Sequence, residues 1–384
     1  MTASELVSAL IACVVGSSSA YLWWGSRRIG SLADHTPCSE GAFPPVTVVI
    51  AARNEEKNIR EALQSVLSLT YPSYRIVVVN DRSEDNTPRI LAEMQQLDSR
   101  LTCVSVETLP TGWLGKNHAQ WIGSQYAGAE DILLFTDADV VMAPDTLSRA
   151  VCVMRDARAD HLVLTPSVRV PSILLGIFSV FFGMVFALYM RPWQVSNPRS
   201  RAHVGIGAFN MVRGTVYRAI GGHTAIKMRP DDDIKLGKLI KQQGYQQEIR
   251  YAPEYLAVEW YHSTPELIRG LEKNTFAGAE YSVLLVVGGA LAQLLITLWP
   301  IVGLFLTDGV SAALCGGIVA VSILTAGDAA RRHRMPWYFG IGYPVAAVLF
   351  VYIVIRTMLL TLMQGGMYWR GTFYRLSELR KNIL

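Results

Sequence analysis

The chain has few charged residues and no closely spaced cysteines, and both features limit the class of protein to which it can belong. Only 17% of its 384 residues are charged and 51% are hydrophobic, which is a larger apolar share than in an ordinary soluble domain. The net charge is a mild +4, with no stripe of Lys and Arg interleaved with aromatics, so no nucleic-acid partner is expected. The five cysteines lack CxxC spacing. This disfavours a zinc site or a disulfide framework and fits a reduced cytosolic compartment.

The apolar excess lies in uncharged runs that are long enough for membrane helices. These runs are 6–24, 172–190, 282–307, 310–327 and 337–355. The first has no basic segment before it and no clear cleavage site after it, so we expect an uncleaved anchor rather than a signal peptide. Arg27 and Arg28 follow this run, and the positive-inside rule therefore predicts that the next domain is cytoplasmic.

Apolar segments of strand length alternate with helical patterns from residue 46 onward. The segments "VTVVIAA", "YRIVVVND", "LTCVSVE" and "DILLFTDAD" have the length and composition of strands, and amphipathic segments separate them. Such a pattern indicates βαβ units and a parallel sheet that is covered on both faces. In sheets of this kind the ligand site lies beyond the carboxyl ends of the strands.

Acidic residues are concentrated at these predicted strand ends, namely in 54–55, 80–81 and 137–139. Burial does not explain them, because ionised carboxylates are rarely buried unpaired. A dinucleotide-binding site would require a glycine-rich turn after the first strand. The turn here is "AARNEE", so NAD binding is not expected.

Asp137 and Asp139 are spaced i, i+2, which points both carboxylates the same way. The pair can ligate a hard divalent cation whose other positions are taken by phosphate oxygens. The alternative is a turn cap and a solvated aspartate. At the second strand end, Asp81 is placed to bind a nucleotide base or ribose, and Asp85 or Asn86 is predicted to cap the next helix.

Two later segments add to the predicted site. "LPTGWLGKNHA" places Lys116 just before a helix, either near the phosphates or as a solvated lysine, whereas His118 is predicted to be structural. In "RPDDDIKLG", three consecutive aspartates open an amphipathic helix. One aspartate suffices to complement the helix dipole, so a general base is predicted among 231–233.

In this order, "VVIAARNEEKNI", "VVVNDRSEDNT", "TDAD", "GIGAF" and "DDDIKLG" resemble the family 2 nucleotide-sugar glycosyltransferases, which have the GT-A fold. The resemblance covers roughly residues 45–274. Within that family, "LPTGWLGKNHA" and the C-terminal membrane helices are similar to the ceramide-glucosyltransferase-like branch. That branch includes enzymes associated with hopanoids and glycosylated carotenoids.

The resemblance implies inverting transfer from a UDP-sugar, with UDP-glucose as the first candidate donor. It implies that Asp81 holds the uridine, that Asp137 and Asp139 hold Mn or Mg, and that Asp233, or else Asp232, is the base. The implied nucleotide-sugar-binding residues are Ala51, Arg53, Glu55, Asp81, Lys116, Asp137, Arg269 and Lys273. The family's QxxRW motif is absent, since 266–270 reads "ELIRG", which weakens the assignment of Arg269 and Lys273 and disfavours a polymer channel.

The predicted organisation is a membrane anchor at 1–30, a GT-A domain at 45–275, a C-terminal transmembrane region at 282–368 and a basic cytoplasmic tail at 369–384. Segment 172–190 lies between "TDAD" and "DDD" in the sequence. If it crossed the membrane once, the two motifs would lie on opposite sides of the bilayer. It is therefore predicted to lie in the membrane interface or to re-enter, with a buried soluble helix as the alternative. Segment 337–366 could be one span or a Gly/Pro-broken hairpin, and both remain open.

Together with the resemblance, these patterns imply an α/β enzyme in the inner membrane, multi-pass, with a GT-A domain whose sheet is mainly parallel. The predicted reaction moves one sugar from a UDP-sugar to the hydroxyl of a ceramide-, hopanoid- or carotenoid-like lipid. One alternative is a processive polysaccharide synthase. The other is a non-catalytic membrane scaffold with a degenerate transferase fold, which the presence of Asp81, Asp137, Asp139 and Asp233 disfavours.

Overall fold

The protein was analysed as a computed structural model that describes residues 2–37 and 43–382. The chain divides into two compact units. The first, here the sheet unit, comprises Ile29–Arg169, Pro192–Glu259 and Lys381–Leu384. The second, here the helical unit, comprises Met1–Arg28, Val170–Arg191 and Trp260–Arg380.

Strands and helices alternate through the first part of the sheet unit, as the sequence pattern predicts. The strands are β1 (Val46–Ala52), β2 (Tyr74–Asp81), β3 (Leu101–Val106), β4 (Ile132–Asp137), β5 (Val140–Met142), β6 (His161–Thr165), β7 (Ser167–Arg169), β8 (Asn210–Arg213), β9 (Gln247–Tyr251) and β10 (Leu256–Glu259). The helices are α2 (Ile59–Leu67), α3 (Thr87–Leu97), α4 (Gly115–Ser124), α5 (Thr146–Asp156), α7 (Gly214–Ala219) and α8 (Asp232–Gln242).

The main sheet has seven strands in the order β3-β2-β1-β4-β8-β6-β9. Strands β1 to β4 pair in parallel, whereas β8 runs antiparallel to both β4 and β6. A smaller sheet has the order β5-β10-β7. The predicted fold class is confirmed, because the main sheet is mixed but mostly parallel.

Burial explains why the central strands are apolar throughout. In β1, the side chains of Val46, Val48 and Val49 are all fully buried, so both faces of the strand are covered. Val48 and Ile50 belong to the main core with residues of α2 and α3, while Val49 packs on the opposite face with Leu133. β-branched residues suit a strand buried on both faces.

The strand register brings the acidic ends together at one edge of the sheet. Ala51 is level with Asp137 on β4, and Ala52 is level with Asn80 on β2. The residues after these positions therefore leave the sheet at the same edge, as the strand-end pattern predicts.

The helical unit contains the long apolar helices. Its elements are α1 (Ala3–Ser26), α6 (Ile173–Met190), α9 (Thr264–Leu271), α10 (Thr275–Gly278), α11 (Val283–Leu306), α12 (Gly309–Arg332), α13 (Tyr343–Gln364), α14 (Leu376–Leu379) and the strand pair β11 (Gly366–Trp369) and β12 (Thr372–Arg375). Five of its segments are long and apolar enough to cross a membrane, and they correspond to the five uncharged runs of the sequence.

The final apolar segment is a single helix, so the broken-hairpin alternative is wrong. A short 3-10 turn at Trp337–Gly342 precedes α13, which is continuous for 22 residues. Pro344 lies in the first turn of α13. Backbone N–H groups in a first turn have no partner within the helix, so a proline there removes no helical hydrogen bond and does not break the helix. Gly365, with φ of +67°, ends it.

One cysteine departs from the prediction. Cys152 on α5 is disulfide-bonded, whereas Cys13, Cys103 and Cys315 are free. The absence of CxxC spacing does not exclude a bridge between cysteines that are distant in sequence. Cysteine usage therefore gives no support to a reduced compartment.

Candidate active site

Asp137 ends β4 and lies against the glycine-containing loop "GIGAF". Its amide donates a hydrogen bond to the carbonyl of Gly207, with 3.1 Å between the atoms. A Cβ atom at Gly207 would lie 2.5 Å from Asp137 Oδ2, closer than such atoms approach. The loop needs glycine here because the carboxylate occupies the space of a side chain.

Lys116 joins the two acidic motifs. Its ammonium nitrogen is 2.8 Å from Asp137 Oδ1 and 3.6 Å from Asp232 Oδ1. Burial alone would lower the pKa of Lys116, but Asp137, Asp232 and Asp233 outweigh burial and raise it. The lysine is therefore charged, and the solvated-surface alternative for Lys116 does not hold.

Asp139 is the second member of the pair and is partly buried. Its Oδ1 is buried and accepts no hydrogen bond from any described residue. Burial raises the pKa of Asp139 to about 7, and the nearby charges of Asp137 and Glu55 act in the same direction. A buried carboxylate oxygen without a donor suits a cation ligand, because a cation would supply the missing positive charge.

The described residues contain no group of three or more His, Cys, Asp or Glu that could hold a metal alone. The Asp137–Asp139 pair nevertheless fits a cation that takes its other ligands from phosphate and water. Magnesium in particular is commonly bound through one or two carboxylates and substrate phosphates.

The three consecutive aspartates have three different surroundings. Asp231 accepts from Nε and a terminal nitrogen of the fully buried Arg229 at 2.9 and 3.0 Å, and Lys235 lies 3.6 Å away. Asp231 is thus committed to an internal ion pair. Asp232 is buried and faces Lys116.

Asp233 is partly exposed and accepts a hydrogen bond from the amide of Ile234 at 2.8 Å. Burial, followed by the charge of Asp232, raises the pKa of Asp233 to about 7, although Lys116 opposes the shift. A carboxylate with a pKa near neutrality can exchange protons at the pH at which an enzyme works.

Asp81 lies at the end of β2 between two arginines and a glycine. Arg82 donates to its two carboxylate oxygens at 2.7 and 3.1 Å, and Arg53 lies 3.9 Å away. A Cβ atom at Gly115 would be 2.2 Å from Asp81 Oδ2. The start of α4 therefore approaches Asp81 closely only because residue 115 has no side chain.

The turns after β1 and β2 are hydrogen-bonded to each other, and each contains a residue in the left-handed backbone conformation. Asn54 and Arg82 have φ of +55° and +56°, which is uncommon for residues other than glycine. The Asn54 amide donates to Ser83 Oγ at 3.0 Å, and its Oδ1 accepts from the Glu84 amide at 2.8 Å. Strained residues held by their surroundings are frequent at functional sites.

The predicted helix cap behind these turns is correct in part. Asn86 occupies the N-cap position of α3 but makes no capping bond with its side chain. Asp85 Oδ1 instead accepts from the Thr87 amide at 2.9 Å, and Asp85 Oδ2 accepts from the Glu56 amide at 3.1 Å. These residues serve the local fold.

The structure gathers part of the predicted residue set. Asp137, Asp139, Lys116, Asp232 and Asp233 are neighbours by ion pairs and charge interactions. A second group of Arg53, Asp81 and Arg82 surrounds the end of β2. Ala51 is level with Asp137 in the sheet, and the charge of Glu55 acts on Asp139.

Arg269 and Lys273 belong to the helical unit. Arg269 is in the last turn of α9, and the Lys273 nitrogen lies 4.8 Å from the centre of the Trp369 ring. Their role at the diphosphate remains a prediction.

Sequence reasoning missed several residues that shape the site. Arg82 directly follows Asp81 in the sequence, and this adjacency could have identified it as a site residue. Gly115 directly precedes Lys116, and its adjacency was a weaker indication of the same kind. Asn117 donates to the carbonyls of Ile226 and Arg229 at 2.7 and 2.9 Å, and no sequence signal links residues so far apart.

Comparison with known proteins identifies a matching family. Residues 47–178 match the family described as "Glycosyl transferase family 2". This segment is a family 2 glycosyltransferase domain. It contains Asp81, Lys116, Asp137 and Asp139, whereas Asp232 and Asp233 lie beyond it.

Curated relatives align over most of the chain. The 4,4'-diaponeurosporenoate glycosyltransferase of Staphylococcus aureus strain bovine RF122 / ET3-1 is 24% identical over 341 residues, covering 87% of this chain and 89% of the relative. The protein of the same description from strain USA300 is 24% identical over 349 residues.

A solved structure shows the same fold. The mannosyltransferase PcManGT from Pyrobaculum calidifontis, in complex with GDP-Man and Mn2+, superposes with a TM-score of 0.60 at 19% identity. The superposition covers 91% of this chain and 99% of that chain. Together with the sheet order, it shows that the chain has the GT-A fold.

Proposed function

We propose that this protein is an inverting glycosyltransferase that moves a single sugar from a UDP-sugar, first of all UDP-glucose, to a membrane lipid. The observation that supports it most is the position of Lys116, which lies within ion-pair distance of both Asp137 and Asp232. One ammonium group thus joins the predicted diphosphate ligands to the predicted base motif. A donor diphosphate and an acceptor would meet at that point.

Each polar residue has a role in this proposal. Asp81, oriented by Arg82, binds the uridine. Asp137 and Asp139 would hold Mn or Mg, which when bound neutralises negative charge on the departing diphosphate. Lys116 supplies a second positive charge beside that group. Asp233 accepts the proton of the attacking hydroxyl, and positioning of donor and acceptor supplies much of the rate.

The acceptor is proposed to be a carotenoid-like lipid. The curated relatives are described as 4,4'-diaponeurosporenoate glycosyltransferases, and that name denotes a carboxylate-bearing acceptor. A carboxylate is already ionised at neutral pH and needs no base, whereas a hydroxyl does. The effect of replacing Asp233 therefore distinguishes the two acceptor classes.

The proposed location is the inner membrane, with the sheet unit on the cytoplasmic side. Helix α6 starts and ends next to residues of the sheet unit. It has 18 residues, so it is about 27 Å long, and the few residues flanking it could not return the chain across a bilayer. We therefore place α6 in the interface, which is where a lipid acceptor is reached.

The deciding experiment supplies membranes containing the protein with radiolabelled UDP-glucose and either a hydroxylated or a carboxylated polyene lipid. Labelled GDP-mannose and an assay without added lipid are run in parallel. A single-sugar glycolipid formed from UDP-glucose supports the proposal. A long polymer without added lipid would favour a polysaccharide synthase, and no product from any donor would favour a scaffold.

Replacing Asp233 by Asn tests the base. With a hydroxyl acceptor we expect a loss of kcat of about 10²- to 10⁴-fold, which is the usual contribution of a general base. With a carboxylate acceptor the loss is expected to be small. Equal activity on the hydroxyl acceptor for wild type and Asp233→Asn would contradict the assignment.

Removal of divalent cations tests the Asp137–Asp139 pair. EDTA is expected to abolish transfer, and added Mn2+ or Mg2+ to restore it, because Lys116 alone would then have to compensate the charge of the departing diphosphate. Asp139→Asn should raise the cation concentration needed for half activity. Full activity in EDTA would refute the metal role and leave Lys116 as the only compensating group in the proposal.

A further inference from the structure

The backbone that leads into the aspartate motif forms a short strap between two elements. The strap comprises residues 225–229, which connect the 3-10 turn Gly222–Thr224 to the segment carrying Asp231 and to helix α8. Arg229, at its end, is fully buried in the ion pair with Asp231. The placement of the strap therefore sets the position of the first turn of α8, which contains Asp232 and Asp233.

Two asparagine side chains hold the main chain of the strap. Asn117 on α4 donates to the carbonyls of Ile226 and Arg229. Asn382 accepts from the Met228 amide at 3.1 Å and donates to the Ala225 carbonyl at 3.0 Å. Each side-chain amide thus makes two hydrogen bonds to the strap, and the backbone amide of Leu114 adds a fifth, to the Lys227 carbonyl at 2.9 Å.

The two asparagines come from very different parts of the sequence. Asn117 is one residue from Lys116, so its bonds connect the strap to the lysine that faces Asp137 and Asp232. Asn382 lies in the tail that follows α14, yet it belongs to the sheet unit. Its contacts are with backbone atoms, so they do not depend on which side chains the strap carries.

We propose that Asn382 is a positioning residue of the active site: by clamping the strap through the Met228 amide and the Ala225 carbonyl, it holds the start of α8 so that Asp232 and Asp233 keep their places beside Lys116. The tail after α14 thereby forms part of the active-site wall. The expected effect on turnover rests on the proposed transfer reaction. The clamp, meaning the two hydrogen bonds of Asn382 to the strap, does not depend on that proposal.

The expected kinetic effect of losing the clamp is on turnover rather than on donor binding. The described hydrogen bonds of the Asp81 carboxylate, which is assigned to the nucleotide, are with Arg82 rather than with the strap. A small displacement of a catalytic group can lower a rate by one or two orders of magnitude. For Asn382→Ala we expect kcat to fall about tenfold, with the KM for UDP-sugar within about twofold of the wild-type value.

A set of variants at one position separates the two hydrogen bonds. Asn382→Asp keeps an acceptor for the Met228 amide but loses the donor to the Ala225 carbonyl, and it should retain intermediate turnover. Lys381→Ala is the matched control, because Lys381 is the exposed neighbour in the same tail. The control should have wild-type kcat.

Hydrogen–deuterium exchange of the purified full-length variants tests the clamp without any assay of transfer. The Met228 amide should exchange faster in Asn382→Ala than in wild type or Lys381→Ala, and Asn382→Asp should preserve most of its protection. Faster exchange together with the selective loss of kcat supports the proposal.

Two results would overturn it. Unchanged exchange at Met228 in Asn382→Ala would show that the clamp does not exist in solution. Faster exchange with wild-type kcat would show that the clamp does not position the catalytic aspartates. If wild type transfers no sugar from any donor, the proposed function fails, and the exchange data alone still decide the clamp.

Discussion

At the scale of single residues, neighbours in sequence have different chemical roles because their surroundings differ. Asp231 is neutralised by buried Arg229, Asp232 faces Lys116, and Asp233 is partly exposed with a pKa raised to about 7. Asp233 thus combines partial exposure with a pKa suited to proton transfer. Asp233 therefore remains the proposed base, as it was the first choice from the sequence.

The pH dependence of catalysis follows from that pKa. Asp233 must be ionised to accept a proton, so kcat/KM with a hydroxyl acceptor should fall as pH decreases below about 7. The charge of Asp232 contributes to the raised pKa, so Asp232→Asn should lower the Asp233 pKa and move the acidic limb of the profile to lower pH. The measurement is the pH dependence of kcat/KM for the wild type and for Asp232→Asn. Abolished activity in Asp232→Asn with activity retained in Asp233→Asn would assign the base to Asp232.

Which site residues the sequence reveals depends on how they act. Asp81, Asp137, Asp139 and the aspartate triplet stand out because charges at the ends of apolar strands or in excess of a helix cap need another explanation. Asn117 and Asn382 act through main-chain atoms more than one hundred positions away. An amide that binds distant carbonyls leaves no local pattern, so only the folded chain reveals it.

At the scale of elements, the loop "GIGAF" and helix α8 pack at backbone distance. A Cβ atom at Gly205 would lie 1.8 Å from the Asp233 carbonyl oxygen, and one at Gly237 would lie 2.0 Å from the Val204 carbonyl oxygen. Two glycines facing each other's backbone thus bring the loop and the helix together. This contact lies next to Gly207, which borders Asp137.

Alanine at Gly205 and at Gly207 should have different consequences. Gly205→Ala meets the main chain of Asp233, which cannot rotate away, so we expect destabilisation of about 3 kcal/mol and a lower melting temperature. Gly207→Ala meets the movable carboxylate of Asp137, so the melting temperature should change little while the KM for the donor rises. Gly288→Ala, which has no heavy atom within 4 Å of the new Cβ, is the control. Equal melting temperatures for all three variants would contradict the close packing.

The early elements were predictable because each carries its own periodicity. Strands β1 to β4 and helices α2 to α4 agree with the predicted segments to within a few residues. The antiparallel insertion of β8 between β4 and β6 was not predicted, since a pairing between strands about 75 residues apart is decided by tertiary contacts. The continuity of α13 was likewise left open by its glycine and proline residues.

At the scale of the whole molecule, the chain enters and leaves the sheet unit several times. Residues on both sides of Trp260–Arg380 belong to that unit, and Asn382 is hydrogen-bonded within it. The number of membrane crossings between Glu259 and Asn382 must therefore be even. Because α11, α12 and α13 are all long enough to cross, at least one of them does not.

We predict that α13 is the helix that does not cross. Arg331 and Arg332 end α12 and Arg334 follows it, which favours a return of the α11–α12 pair to the cytoplasmic side. Arg356 within α13 forms an ion pair with Glu272, and a charged residue is costly inside a bilayer. Protease-cleavable tags after Leu384 and between Asp308 and Gly309 should be cleaved from opposite sides of the membrane. Cleavage of both tags from one side would contradict this topology.

The position of Asn382 also sets the order in which an active enzyme can be made. A ribosome produces all five apolar helices before it produces Asn382. If the strap needs Asn382, the aspartates of α8 reach their working positions only after the membrane-directed helices exist. A nascent chain, or one cut short after α13, would then hold a donor-binding sheet without efficient turnover. Catalytic maturation would in this way wait until the apolar helices have been made.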